Sequence, residues 1–399
     1  MKSTFEVIGQ SEKWGANNYH PLPIVIEKGE GIWVYDSEGR KYMDMLSAYS
    51  ALNQGHRHPK IINALVEQAN RVTLTSRAFH NDKIGTFLEK LCKLAGFERA
   101  LPMNTGSEAV ETALKAARKW AYKNRGIPED KGEIIVCSNN FHGRTITIIS
   151  FSSEKQYKDG FGPFTPGFRI IPYGDANALR EAITPLTIAF MAEPIQGEGG
   201  VIVPPEGYLA DIRRITSENN VLLIFDEIQT GFGRTGKMFA FEHENARPDI
   251  LAVGKALGGG VYPVSAILAD SKIMDVFSPG DHGSTFGGNP IAAAVGTASL
   301  DVLIEEKLPE RSRELGIYFM DKLKKIDSPY IREIRGKGLF IGVEIKKEYG
   351  SARPFCERLM GKKLLCKETH EQTIRFAPPL IIKKEELDWA IDIIGSVLS

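Results

Sequence analysis

Short, unbroken apolar runs constrain this chain more than any other feature. Ile134–Ser138, Ile188–Glu193, Val221–Asp226, Ile250–Val253 and Val264–Leu268 are almost wholly apolar up to their last positions. A strand that is apolar at successive positions is covered on both faces. Helical patterns lie between these runs, as at 107–123, where Ala109, Val110, Ala113, Leu114, Ala117 and Trp120 recur at helical spacing. Strands are also predicted near Arg99–Asn104 and over Thr145–Ser150, with a helix over 82–95. Such alternation predicts a mostly parallel α/β sheet flanked by helices.

The flanks read differently. Gly31–Asp44 predicts a hairpin about an Asp-Ser-Glu-Gly turn, and Tyr19-His-Pro-Leu-Pro23 an extended piece stiffened by its prolines. Ser47–His56 is rich in small residues and has little periodicity, and His58–Pro59 opens a helix through about Asn70. After Asn289–Pro290 a helix runs to about Glu306, then helices over 309–325, 354–361 and 384–398 with strands at Ile331–Arg335, Leu339–Ile345 and Thr373–Phe376. The expected division is an N-terminal segment 1–50 belonging to a small domain, a large domain 51–290, and a C-terminal small domain 291–399. A length of 399 residues accommodates two domains.

Charge and cysteine usage exclude several function classes. Fifty basic residues balance fifty acidic ones, so no field is directed at nucleic acid or an anionic membrane. Cys92, Cys137, Cys356 and Cys366 form no Cys-x-x-Cys pair and no metal spacing, so no metal is expected. The start, Met1–Gly9, has no apolar stretch and carries an early acid, and no run is long enough to span a bilayer. Together these predict a cytoplasmic protein.

Several segments carry chemistry. Met103-Asn-Thr-Gly-Ser-Glu108 joins a strand to a helix, and Thr105-x-x-Glu108 is a capping box. Free N–H groups there suit an anion such as phosphate, although a helix start without a ligand has the same sequence. Asp226 ends an apolar strand, where it needs a partner: a pyridinium N–H or an ion pair that fixes a loop. Gly254-Lys255 follows another apolar strand; a desolvated lysine is a Schiff-base nucleophile, whereas a solvated loop lysine is inert. In Asn140-Phe-His-Gly-Arg-Thr145, Phe141 is placed to stack on a flat ring and Arg144 to bind a carboxylate. Glu193–Glu198 follows a strand, Gly283–Pro290 is rich in glycine and hydroxyls, and Arg375 precedes a proline turn. A lysine, a strand-end acid, a phosphate-ready helix start and a stacking aromatic form the set that pyridoxal 5′-phosphate requires.

With these residues the chain resembles the class III, fold-type I pyridoxal-phosphate aminotransferases, from about Asn18 to the last helix. Asn18–Pro23, Met103–Glu108, Asp226–Gly231, Gly283–Asn289 and Arg375–Pro379 carry the likeness, most closely to ornithine-using members. The resemblance implies pyridoxal 5′-phosphate held covalently on Lys255, with Asp226 on the ring nitrogen and Gln229 on the ring hydroxyl. It implies Phe141 and Ile228 on the ring faces, Gly106 and Ser107 on the phosphate, and Thr285 arriving from the neighbouring subunit of a homodimer. The implied reaction moves the δ-amino group of L-ornithine to 2-oxoglutarate, in arginine breakdown or proline synthesis. Tyr19, Tyr49 and Arg144 would orient ornithine, Arg375 would bind the α-carboxylate of the oxo acid, and Glu198 would mask Arg375. His142 departs from the pattern, since some ornithine enzymes carry tryptophan there and acetylornithine enzymes commonly carry histidine. Other donors in the family are acetylornithine, 4-aminobutyrate and lysine. An aminomutase, or a binding protein that retains the fold, are more distant alternatives.

Overall fold

The structure, a computed structural model, describes residues 3–399; Met1 and Lys2, which begin the stretch read for a signal peptide, lie outside the described residues. Three sheets organise it. The first opens with β1 (Ile26–Glu30), β2 (Trp33–Asp36) and β3 (Lys41–Asp44), an antiparallel ribbon containing the predicted hairpin.

The second sheet is the frame of the molecule. Its strands are β4 (Arg99–Met103), β5 (Glu133–Cys137), β6 (Phe168–Ile171), β7 (Thr187–Ala192), β8 (Leu222–Asp226), β9 (Ile250–Val253) and β10 (Ser265–Ala269). Their order is β4-β10-β9-β8-β7-β5-β6, and only β10 runs against the others. The sheet is thus mostly parallel, and β7, β8, β9 and β10 are buried at every position, as their apolar runs require. Helix Gly106–Asn124 lies on it through Ala109, Val110, Ala113, Leu114, Ala117 and Ala121, whose small side chains permit close approach. Helix Pro290–Glu305 is buried almost all round; Asn289 Oδ1 accepts Ala292 N–H at 2.9 Å to cap it.

The third sheet contains β11 (Ile331–Lys337), β12 (Phe340–Ile345), β14 (Lys367–Thr369) and β15 (Thr373–Phe376), in the order β11-β12-β15-β14. The remaining strand, β13 (Leu364–Leu365), leaves this region and pairs parallel with Met43–Asp44 of β3. The first sheet therefore draws on both ends of the chain.

One expected strand is a helix. Thr145–Ser150 is rich in β-branched residues, yet Ile146–Ser150 is helical, with Ile149 N–H donating to Thr145 C=O at 2.9 Å. Burial of Ile148 in the core under helix Gly106–Asn124, with Ile149 buried beside it, outweighs the weak strand propensity of these side chains. Sequence periodicity also missed β1, β6 and the helices Thr4–Trp14, Ala176–Ala182 and Tyr208–Glu218.

Candidate active site

In the large sheet the C-terminal ends of β4, β5, β7, β8 and β9 release their chains into one cleft. It is lined by Gly106, Ser107, Phe141, His142, Gly143, Arg144, Glu193, Ile195, Asp226, Ile228, Gln229, Thr230 and Lys255. Ligands of α/β sheets bind at this edge because the strands end there and loops can diverge. Sequence reasoning named Gly106, Ser107, Phe141, Arg144, Asp226, Ile228, Gln229 and Lys255, and all eight share this pocket.

The helix start at Thr105 is built as its capping box predicts. Thr105 Oγ1 accepts Glu108 N–H at 3.2 Å, and Glu108 Oε2 accepts Thr105 N–H at 2.7 Å. Gly106 and Ser107 follow as the first helical residues, where N–H groups have no intrahelical acceptor. The backbone is crowded here: a Cβ on Gly106 would sit 3.1 Å from Ile228, and one on Gly143 would collide with Ser107 Oγ.

Asp226 is 5% exposed. Its Oδ1 accepts Ile228 N–H at 3.0 Å, and its Oδ2 is 2.7 Å from His142 Nδ1. Lys255 follows β9 in a left-handed conformation, φ 45°, that turns the chain sharply. Burial depresses the pKa of its amine; Glu198 and Asp226 oppose that fall and Arg375 adds to it.

The residues expected to select the substrate come from elsewhere. Arg375 lies on β15 between β12 and β14 and is wholly buried. Its Nη1 donates to Glu198 Oε1 at 2.6 Å, while Nε and Nη2 have no partner. Burial pushes the Glu198 carboxyl pKa up, but Arg375 outweighs it and the net shift is downward. The third sheet also holds the Glu198 loop: Thr369 Oγ1 donates to Glu198 C=O at 2.7 Å, and Arg335 Nη2 to Gly200 C=O at 2.6 Å. Gln229 Nε2 donates to Glu198 Oε1 at 3.4 Å and to Tyr49 C=O at 3.2 Å.

Tyr49 sits in a turn whose four residues, Ser47, Ala48, Tyr49 and Ser50, all have φ between 47° and 69°. None is glycine, so the turn costs about 1–2 kcal/mol per residue. It holds the Tyr49 ring 5.0 Å from the Arg375 guanidinium. Tyr19 lies in an adjoining, mostly apolar pocket with Tyr49 and Leu22, apart from Lys255, and is 74% exposed. Thr285 is exposed and outside this chain's own cleft.

Several contributors escaped sequence reasoning. His142 was noted only as a departure, although a lone histidine between an aromatic and a glycine at a strand end is a usable signal. Tyr157 carries the Arg144 guanidinium over its ring at 3.7 Å. Arg353 binds the carbonyls of His20 and Pro21 at 3.1 and 2.8 Å and so tethers the segment bearing Tyr19.

These residues fit pyridoxal 5′-phosphate. Gly106 and Ser107 would hold its phosphate, Phe141 and Ile228 the ring faces, Asp226 the ring nitrogen and Lys255 the aldehyde carbon. Among the described residues no cluster of histidines, cysteines and acids could hold a metal ion, and no helix is long and apolar enough to cross a membrane.

Residues 14–398 match the family Aminotransferase class-III. The chain is 65% identical to an ornithine aminotransferase of Brevibacillus brevis, covering all of this chain and 99% of that protein. Among solved structures it is similar to the ornithine aminotransferase of Toxoplasma gondii, with a TM-score of 0.98 and 46% identity over all of this chain and 95% of the other. It is also similar to an acetylornithine aminotransferase of Elizabethkingia anophelis, with a TM-score of 0.91 and 49% identity over all of this chain and 99% of the other. The chain belongs to the class III aminotransferases.

Proposed function

We propose that this chain transfers the δ-amino group of L-ornithine to 2-oxoglutarate. The products are glutamate and glutamate 5-semialdehyde, which cyclises to pyrroline-5-carboxylate. The observation that carries the reading is the Arg375–Glu198 pair, 2.6 Å apart, beside the Lys255 pocket. Two substrates with different carboxylate positions must use one amine-reactive centre. A buried arginine with a removable acidic cover meets that need.

When bound, pyridoxal 5′-phosphate supplies the carbonyl that accepts an amino group and a conjugated ring that draws electron density from the neighbouring carbon. The protein supplies the rest. Ornithine enters with its α-carboxylate toward Arg144 and Tyr19, which directs the δ-amine at Lys255. Glu198 on Arg375 withholds the alternative anchor, so the α-amino end finds no carboxylate site near the lysine. The α-carboxylate of 2-oxoglutarate instead displaces Glu198 and takes the Arg375 fork. Lys255, whose amine is held below its ordinary pKa by burial, is the group placed to carry a proton between neighbouring atoms. Gln229 would reach the ring hydroxyl.

The working unit in this reading is a cytoplasmic homodimer in which Thr285 of one subunit completes the phosphate site of the other. Residues 51–290 form the large domain; 1–50 and 291–399 form the small one. The test is to incubate the protein with ornithine and 2-oxoglutarate and trap pyrroline-5-carboxylate, with acetylornithine as the control donor. Rapid formation with ornithine and little turnover of acetylornithine is expected. A second reading, acetylornithine as donor, is favoured by His142 in Phe-His-Gly-Arg; preference for the acetylated donor in the same assay would install it in place of the first.

A further inference from the structure

We infer that His142 is a positioning residue for the reaction: its imidazole N–H fixes the Asp226 carboxylate that is to meet the cofactor's ring nitrogen. This rests on the reading of Asp226 given above. The two side chains meet at 2.7 Å, Nδ1 to Oδ2, with the His142 side chain fully buried. Water cannot substitute for the contact. The other Asp226 oxygen is held by Ile228 N–H at 3.0 Å. Both oxygens are therefore fixed from the protein side, which aims the carboxylate and opposes its rotation.

The same geometry assigns the imidazole's proton. Nε2 is buried and has no partner, and the ring lies 6.0 Å from that of Phe151. An imidazolium would bury an unpaired N–H there, a costly arrangement. A neutral ring with its hydrogen on Nδ1 leaves only an unused lone pair at Nε2 and donates to Asp226.

Glu193, from the end of β7, is the second carboxyl in this cluster. Its Oε2 accepts the N–H of Phe141 at 3.0 Å and its Oε1 that of Gly197 at 3.4 Å, which braces the backbone just before His142. Burial pushes its pKa up to about 7; His142 opposes that rise and Asp226 adds to it. The charged groups facing the cluster are Lys255 from the end of β9 and, beyond it, Glu198 and Arg375.

The test uses purified holoenzyme and two substitutions. His142→Phe keeps a ring and removes the donor; His142→Asn places an amide N–H near the Nδ1 position. The measurements are cofactor dissociation by dialysis, the pH titration of the visible absorption band, and melting of the apo form. His142→Phe should bind pyridoxal 5′-phosphate about tenfold more weakly, the effect of losing one hydrogen bond to a charged group. It should also move the midpoint of the visible titration, and His142→Asn should restore most of both. Wild-type affinity and midpoint in His142→Phe would overturn the inference. So would equal impairment of the two variants with unchanged apo melting, because a donor restored at the Nδ1 position would then make no difference. No amino donor enters these measurements, so they stand even if ornithine proves not to be the substrate. A wild-type protein that takes up no cofactor would overturn both readings.

Discussion

Asp226 and Tyr19 mark the two extremes of one candidate site. Asp226 ends a strand buried on both faces and is 5% exposed; Tyr19 lies on a segment that is neither helix nor strand and is 74% exposed. The cofactor side, with Gly106, Asp226 and Lys255, is made from the ends of strands in one sheet. The substrate side collects Tyr19, Tyr49, Glu198 and Arg375 from an N-terminal segment, a left-handed turn, a loop and a different sheet. Chemistry common to a family can be anchored in a frame that barely moves. Choice between substrates needs parts that exchange partners, and Glu198, the proposed mask of Arg375, sits on a loop rather than in a strand.

The contrast can be broken by mutation. Lys255→Ala should abolish activity by at least about a thousandfold, as removal of a central catalytic group does, and should erase the visible band of the holoenzyme. Retained turnover would remove the lysine from the centre of the cofactor side. Arg375→Ala should come next. It removes the ion-pair partner of the partly exposed Glu198 and should lower kcat/KM for 2-oxoglutarate far more than the half-reaction with ornithine. Equal losses in both, read by stopped-flow absorbance, would mean that the arginine serves structure rather than selection.

Glu198→Ala is gentler and more telling. Arg375 stays open, so transfer from the α-amino group should gain on transfer from the δ-amino group by about tenfold, near 1.4 kcal/mol. Product analysis with ornithine alone measures this, and an unchanged ratio removes the mask. Arg353→Ala should have the smallest effect. It cuts two hydrogen bonds holding the Tyr19 segment, worth about 1 kcal/mol each at most, and should raise KM for ornithine a few-fold with kcat nearly unchanged. A fall in kcat instead would tie that exposed segment to the chemistry.

The same division governs what sequence alone can reveal. The strand ending in Asp226 announces itself because five apolar residues in succession, Val221–Phe225, fit few environments but a covered sheet, and a carboxylate after them needs a partner. The helix start at Thr105 is equally legible, since its cap is made by residues three apart. The pairing of His142 with Asp226 joins positions 84 residues apart, and no local pattern reports it. The left-handed turn at Ser47–Ser50 is hidden for another reason: glycine is the usual signal for such φ values, and the turn has none. Ile146–Ser150 misleads because β-branched side chains favour strands only weakly, and packing decides. The roles expected of Tyr19, Tyr49 and Glu198 rest on family resemblance alone.

The short parallel pairing of Leu364–Leu365 with Met43–Asp44 bears on how the protein is made. Met43 N–H donates to Lys363 C=O, Met45 N–H to Leu365 C=O, and Ala377 N–H to Met45 C=O. Ser47 Oγ donates to Ala377 C=O at 2.6 Å at the start of the left-handed turn. Every one of these partners is translated near the end of synthesis. At typical elongation rates the ribosome needs on the order of tens of seconds to travel from Ser47 to Ala377. For that interval β3 presents a bare edge, and the strained turn lacks its Ser47–Ala377 contact. The nascent chain must therefore keep an early, aggregation-prone strand waiting for a late one, a task suited to holding chaperones.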